Sequence, residues 1–265
     1  MKSLGDSVQG VLAKIQQLKE QSKEYQSTLP KNIYNCNLCS DNGGYIIIKD
    51  DIEYYTECEC FKSSRSDRLF KASQITFEFR KKTFSSWDSS WLDDEVRNAR
   101  AASQDYACNF GDIKTRRNNS IALLGQSGAG KTHLLMAIAN QLMDNGVQVF
   151  YFPFVEGFND LKSDFDNLNN RIEKMQKAEV LFIDDLFKGR KDSTQFQVEQ
   201  MFAVINYRYM NNLPMLISSE KLIEDLIQID EALGSRIYEM SKDYVIELIG
   251  KKLNYRMRDD DERDT

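Results

Sequence analysis

No apolar run in this sequence reaches the roughly 18 residues that a membrane-spanning helix requires, so a helical span is excluded. The first residues, Met1-Lys2-Ser3-Leu4-Gly5-Asp6, lack the apolar core and cleavage site of a secretory signal. A cytoplasmic protein with no membrane attachment is expected. Positive charge is not in excess: the net charge is −6, which argues against a permanent, salt-driven grip on duplex DNA. A local basic patch stays open. There is a single histidine, His133, and no internal repeat. What is present is ordinary for a globular protein, 41% hydrophobic and 29% charged residues in a chain of 265. That length suits one large or two modest domains.

Short apolar runs at Ile121–Leu124, Val147–Phe152, Val180–Ile183, Met215–Ile217 and Tyr244–Leu248 alternate with helical patterns. Buried strands separated by helices predict βαβ units, an α/β fold whose parallel sheet is covered by helices on both faces. This domain spans residues 76–258. Before it, residues 63–75 are polar and read as a linker, and residues 1–62 form a separate N-terminal part. There, Val8, Val11, Leu12, Ile15 and Leu18 make one stripe of an amphipathic helix over 7–27, which Pro30 ends. Tyr45–Ile48 and Ile52–Thr56 read as a hairpin that turns at Lys49-Asp50-Asp51. Residues 259–265 form an acidic tail, expected to be disordered.

The run Ile121–Leu124 leads into Gly125, Gln126, Ser127, Gly128, Ala129, Gly130, Lys131 and Thr132, then into a helix over His133–Met143. Phosphate binding needs this order. The glycines let the backbone turn tightly, so that several N–H groups face phosphate oxygens. The helix N-terminus adds unpaired N–H groups and a favourable dipole. Lys131 supplies a point charge to the β- and γ-phosphates, and Thr132 offers its hydroxyl oxygen to Mg²⁺. His133 is grouped with this site as a helix-start residue rather than as a ligand or base. Further on, Val180–Ile183 ends in Asp184 and Asp185. Asp184 suits Mg²⁺, held directly or through water, and Asp185 suits orienting or deprotonating the attacking water. The chain therefore reads as an ATPase that uses ATP and Mg²⁺.

These motifs, with Pro214-Met-Leu-Ile-Ser218-Ser219-Glu220 and Gly234-Ser235-Arg236 in the same order, resemble AAA+ ATPases of the DnaC/DnaI-type replicative helicase loader group, phage and prophage members included. Ile75-Thr76-Phe77-Glu78-Phe79-Arg80 resembles the segment that enters such a domain. Asn206-Tyr207-Arg208-Tyr209 resembles the helix before its fourth core strand. The resemblance implies that Ser218 or Ser219 is the sensor 1 polar residue beside the γ-phosphate. It implies that Arg236 is an arginine finger completing a neighbour's site, and so a ring or spiral of subunits or a joint assembly with the helicase; the alternative is an exposed helix-start arginine. Arg256 is either a nucleotide sensor or a surface residue. Many AAA+ enzymes carry Asp-Glu where this chain has Asp184-Asp185, so slow hydrolysis is implied. The stretch after Leu248 is too short for the helical lid many AAA+ proteins carry, as in the compact loader type. Its implied partners are a replicative helicase and single-stranded DNA.

Four of the five cysteines cluster: Cys36 and Cys39 with two residues between them, then Cys58 and Cys60 with one between them. In a reducing cytosol such pairs point to structural Zn²⁺ in a small module, with free thiols as the alternative. Asp41-Asn42-Gly43-Gly44 allows the tight turn of a zinc knuckle. Cys108 stands alone in a helical stretch and is expected to be buried. For DNA, the stretch 154–177 combines Phe154, Phe158, Lys162, Arg171, Lys174 and Lys177, types that stack bases and track phosphates. Its other reading is core aromatics beside solvated charges. Arg116 and Arg117 are a further basic candidate. The function expected is loading of a replicative helicase onto single-stranded DNA. The alternatives are a nucleotide-switched adaptor with little hydrolysis and a transposition-helper ATPase of the IstB type.

Overall fold

The computed structural model describes residues 34–49, 52–87, 93–163, 167–189, 193–250 and 253–257. The expected amphipathic helix over 7–27, the acidic tail and the hairpin's Asp50-Asp51 turn lie outside them. By internal contacts the chain divides into two compact units, one ending at Cys58 and the other starting at Glu59.

The first unit is built on a hairpin of β1 (Gly44–Lys49) and β2 (Ile52–Glu57), antiparallel, with Ile46 opposite Tyr55 and Ile48 opposite Glu53. A tight turn precedes it. Asp41 Oδ1 accepts the Cys36 N–H at 3.0 Å and Asp41 Oδ2 the Asn35 N–H at 3.1 Å. Ser40 and Asp41 take left-handed φ angles of 49° and 62°. Two strands cannot bury their own side chains. Ile48, Tyr55 and the turn residue Leu38 are accordingly 69%, 70% and 73% exposed.

In the second unit the expected apolar runs form five parallel strands, β3 (Ile121–Gly125), β4 (Val149–Pro153), β5 (Val180–Asp184), β6 (Met215–Ser219) and β7 (Val245–Leu248), in the order β4-β5-β6-β3-β7. Alternate residues of a strand face opposite sides. Ile121, Leu123, Tyr151 and Phe182 face one core, which contains side chains of α3 (Asp94–Ile113) and α4 (Lys131–Asp144). Ala122, Leu124, Phe152 and Ile183 face the other. It is covered by α5 (Phe154–Ser163), α6 (Leu168–Lys177), α7 (Gln195–Met210), α8 (Ile223–Ile229) and α9 (Glu231–Ser241).

Residues 63–75, expected as a linker, instead lie mostly within helix α1 (Glu59–Ser73), which packs on the end of α4. Ser66 Oγ donates to Asp144 Oδ1 at 2.7 Å and Arg65 Nη2 to the Gly146 carbonyl at 2.9 Å. The polar residues that suggested a linker are the ones making these contacts. Behind it, the short helix α2 (Phe77–Arg80) is pinned by buried Asn140, whose Nδ2 lies 3.1 Å from the Phe79 carbonyl and 2.8 Å from that of Lys82. Cys108 is exposed on α3, against expectation: the helix turns Ala107 and Phe110 inward and Cys108 outward.

Arg208 on α7 is fully buried. Its Nη1 donates to the carbonyls of Met175 (2.9 Å) and Ala178 (2.8 Å), and its Nη2 to Pro214 (2.6 Å). One guanidinium thus ties the end of α6 to the approaches of β5 and β6. Burial pushes its pKa down to about 9, so it stays charged at neutral pH. Arg208→Ala strands several buried carbonyls. It is expected to lower the unfolding free energy by about 3 kcal/mol or more, against under about 0.5 kcal/mol for exposed Met210→Ala, as read by denaturant titration.

Candidate nucleotide site and cysteine cluster

Ligands of open α/β sheets lie beyond the carboxyl ends of the strands, at a point where strand order reverses. Here β3 and β6 are neighbours although β4 and β5 lie between them in sequence. A cavity of about 640 Å³ opens there. Its walls include Ser127, Gly128, Gly130, Lys131, Thr132 and His133 of the phosphate loop, with Asp184 and Asp185 from the end of β5.

The loop's glycines are required by geometry. Gly125 has φ 105°, and a Cβ there would lie 2.4 Å from the Leu248 carbonyl oxygen. Gly130 caps α4 with φ 82°, and a Cβ would meet the Trp87 ring at 2.4 Å. Gln126 N–H donates to the Leu248 carbonyl at 2.9 Å, so β7 fixes the start of the loop, while buried Ala129 anchors its middle in the core. Lys131 is buried, and its Nζ donates to the carbonyls of Gly125 and Gln126, both at 2.7 Å. Burial pulls its pKa down to about 8, although Asp185 and Glu220 act in the opposite direction.

Asp184 collects hydroxyls from three other elements. Thr132 Oγ1 donates to its Oδ1 at 2.9 Å, Ser218 Oγ to the same oxygen at 2.5 Å, and Tyr151 Oη to Oδ2 at 3.1 Å. Burial raises the Asp184 pKa, and these hydroxyls oppose the rise. A carboxylate and a threonine hydroxyl in contact are the oxygen donors Mg²⁺ prefers, beside a loop built for phosphates. The neighbouring Asp185 has its N–H on Ser218 Oγ at 2.7 Å and its Oδ2 on Lys188 Nζ at 2.8 Å.

The two candidate sensor serines separate. Ser218 faces Asp184, whereas Ser219 Oγ donates to the Leu186 carbonyl at 2.6 Å and shapes the adjoining loop. His133 Nε2 lies 3.0 Å from the Thr83 carbonyl, and its ring packs edge-on against Trp87. Burial pulls its pKa down. Arg236 does not line the cavity. Its Nη1 donates to the Ala232 carbonyl at 2.6 Å and its guanidinium lies over Phe202 and Tyr209. Arg256 and Tyr255 do line it, brought there by Tyr255 N–H donating to the Gly128 carbonyl at 3.2 Å.

Sequence reading missed Tyr151, Lys188, Gln74 and Trp87 as parts of the cavity, and it named Glu220, Thr76 and Phe79 only within motifs of the resemblance. Tyr151 carried one signal: a hydroxyl within an apolar strand needs a buried partner. Of the two readings of the stretch 154–177, its aromatics follow the core one. Phe154 and Phe158 are buried, ring against ring at 4.9 Å. Arg171 reaches Gln74 at 3.3 Å, and Arg117 stacks on Tyr209 and pairs with Glu239. Arg116, Lys174 and Lys177 are exposed, Lys177 paired with Glu173. The Lys162 side chain lies outside the described residues.

In the cysteine cluster, the sulfurs of Cys36, Cys39, Cys58 and Cys60 all lie within 4.8 Å of one another, with Cys36 and Cys58 Sγ 3.6 Å apart. Four thiolates about 2.3 Å from a tetrahedral Zn²⁺ stand about 3.8 Å from each other. The donor set and its spacing fit that ion.

The depressed Lys131 pKa sets a pH dependence. The lysine loses its proton as pH rises through about 8, and bound phosphates favour the charged form, so nucleotide binding takes up a proton. Calorimetric ATP affinity is expected to fall above pH 8, by at most about tenfold per pH unit. A flat profile between pH 7 and 9.5 would contradict this.

Residues 62–239 match the family model of IstB-like ATP-binding proteins. The chain is 47% identical over 230 residues to the phage-like element PBSX protein XkdC of Bacillus subtilis, covering 84% of this chain and 86% of that one. Among solved structures it is similar to DnaI, with TM-score 0.54 at 23% identity, covering 68% of this chain and 94% of that one. It is similar also to the DnaC helicase loader, with TM-score 0.53 at 19% identity, covering 66% of this chain and all of that one. Both structures share its AAA+ fold. No helix among the described residues is long and apolar enough to cross a membrane. With its phosphate loop, paired aspartates and matched sequence over most of its length, the chain belongs to the family of IstB-like ATP-binding proteins.

Proposed function

We propose that this protein is an ATP-hydrolysing loader that delivers a replicative hexameric DNA helicase onto single-stranded DNA. The observation that carries the ATPase part is the convergence of Lys131, Thr132, Asp184 and Asp185 on one cavity. Lys131 and the loop N–H groups hold the phosphates, and Thr132 and Asp184 hold Mg²⁺. The ion supplies charge neutralisation to the transferred phosphoryl group. Asp185 orients the attacking water. Its side chain, one methylene shorter than a glutamate's, makes hydrolysis slow. Ser218 relays the state of Asp184 to β6. Arg256 contacts nucleotide from the cavity wall. Arg236 leaves its aromatic seat to reach a neighbour's γ-phosphate, so that turnover needs a ring or spiral of subunits.

The loader part rests on the N-terminal module. The family match begins at residue 62, after the four clustered cysteines, so the cysteine module lies outside the matched ATPase segment. Its hairpin presents Ile46, Ile48, Ile52 and Tyr55 to solvent, a surface suited to a protein partner. The DnaI and DnaC likenesses support that partner being a helicase. DNA binding falls to exposed cations such as Arg116, Lys174 and Lys177. It is modest and salt-sensitive, as the net charge of −6 requires. The family match itself favours a second reading, a transposition helper.

The test uses the full chain with Cys36, Cys39, Cys58 and Cys60 intact or all changed to serine. The intact chain is expected to hold about one zinc per chain by elemental analysis and to capture a hexameric replicative helicase. The serine variant should lose both yet bind ATP with unchanged affinity. Zinc-free intact protein, or capture unaffected by the four changes, would refute the module's role. Tight duplex binding without ATP would favour the transposition helper.

A further inference from the structure

The loop that leaves β5 is bent at two positions where side-chain-bearing residues rarely go: Asp185 at φ 57° and Phe187 at φ 55°. Such backbone persists only where its surroundings fix it. Here Leu186 N–H donates to the Ser218 carbonyl at 2.8 Å, and buried Phe187 packs edge-on against Phe154 at 5.4 Å. With Leu186 and Phe187 anchored in the core, Asp185 and Lys188 are both presented to the cavity.

Lys188 Nζ lies 2.8 Å from Asp185 Oδ2 and 3.4 Å from Glu220 Oε1. Glu220 shares the cavity wall with Ser127 of the phosphate loop, whose hydroxyl helps hold its pKa down. A row of contacts, Asp185–Lys188–Glu220, therefore links the end of β5 to the end of β6 beside the phosphate loop. Beside Thr132, the carboxylates Asp184, Asp185 and Glu220 face the cations Lys131 and Lys188. A diphosphate held by the loop leaves that row intact. A γ-phosphate adds negative charge next to Asp185 and Glu220, and Lys188 is the cation already shared between them. Its flexible stem lets the ammonium move between partners.

Resting on the ATPase reading above, we infer that Lys188 is a specificity-determining residue. It leaves Asp185 and Glu220 for the γ-phosphate, and so selects nucleoside triphosphate over diphosphate. The exchange also frees the Asp185 carboxylate for water. The row is the closed form of the site, and triphosphate opens it.

The test is calorimetric titration of the full chain with ATP and, separately, ADP. Lys188→Met is expected to weaken ATP binding by about tenfold or more while ADP stays within about twofold. Lys188→Arg should keep most of the preference. Glu220→Gln removes a competing carboxylate, so its ATP affinity should equal or exceed that of the unaltered chain; this variant decides the matter if Lys188→Met does not fold. Equal losses for ATP and ADP in Lys188→Met would mean that the lysine only holds the loop, and would overturn the inference. So would unchanged ATP binding in that variant, or weakened ATP binding in Glu220→Gln. An unaltered chain that bound neither nucleotide would overturn the ATP-site reading and this inference with it.

Discussion

A single buried carboxylate organises the functional end of this sheet. Asp184 closes β5 and receives hydroxyls from Thr132 at the start of α4, Tyr151 on β4 and Ser218 on β6. Four elements of the α/β unit, α4 and the neighbouring strands β4, β5 and β6, therefore meet on two oxygens. Burial alone disfavours the charged form, and a buried charge is tolerated only where hydrogen bonds replace water. That requirement links sequence to site: the hydroxyls of Thr132, Tyr151 and Ser218 work against the rise in the Asp184 pKa that burial causes. Ser218 also accepts the Asp185 N–H, so moving Asp184 disturbs the next carboxylate.

The phosphate loop shows the complementary constraint. Lys131 is folded back onto the Gly125 and Gln126 carbonyls. In the nucleotide site proposed above, phosphate oxygens would take over the role of those carbonyls. The rest of the unit keeps this geometry stiff. Arg208 locks the approaches to β5 and β6 from behind through carbonyls alone, and Asn140 holds the entering segment against α4. The strained backbone at Asp185 and Phe187 stays in place because Leu186, Phe187 and Ser219 pin it from the core side.

Much of this was legible in the sequence, and for physical reasons. Buried parallel strands are mostly apolar, so β3 to β6 announced themselves, and the edge strand β7, half-buried with Glu247 exposed, kept enough apolar residues to be read as well. The phosphate loop and Asp184-Asp185 were legible because their chemistry tolerates few substitutes. The cysteine cluster was legible from spacing, and the fold brings its four sulfurs together. Misreadings arose where polarity and burial part company. Residues 63–75 looked like a linker because Arg65 and Ser66 are polar, yet they bond to Gly146 and Asp144, more than seventy residues away. Phe154 and Phe158 left two readings open in the sequence, stacking on bases or core, and the fold decides for the core. Lys188 and Glu220 meet only because β5 and β6 are neighbours, which no local pattern states.

In the function proposed above, Asp184 and Thr132 form the metal side of a nucleotide site. The most direct measurement is ATP affinity with and without Mg²⁺ for the unaltered chain and for Asp184→Asn, which keeps the side chain's size and removes its charge. The account predicts that Mg²⁺ strengthens ATP binding to the unaltered chain, that this gain falls by about tenfold or more in Asp184→Asn, and that metal-free binding is preserved. An Mg²⁺ gain of the same size in both proteins would contradict it.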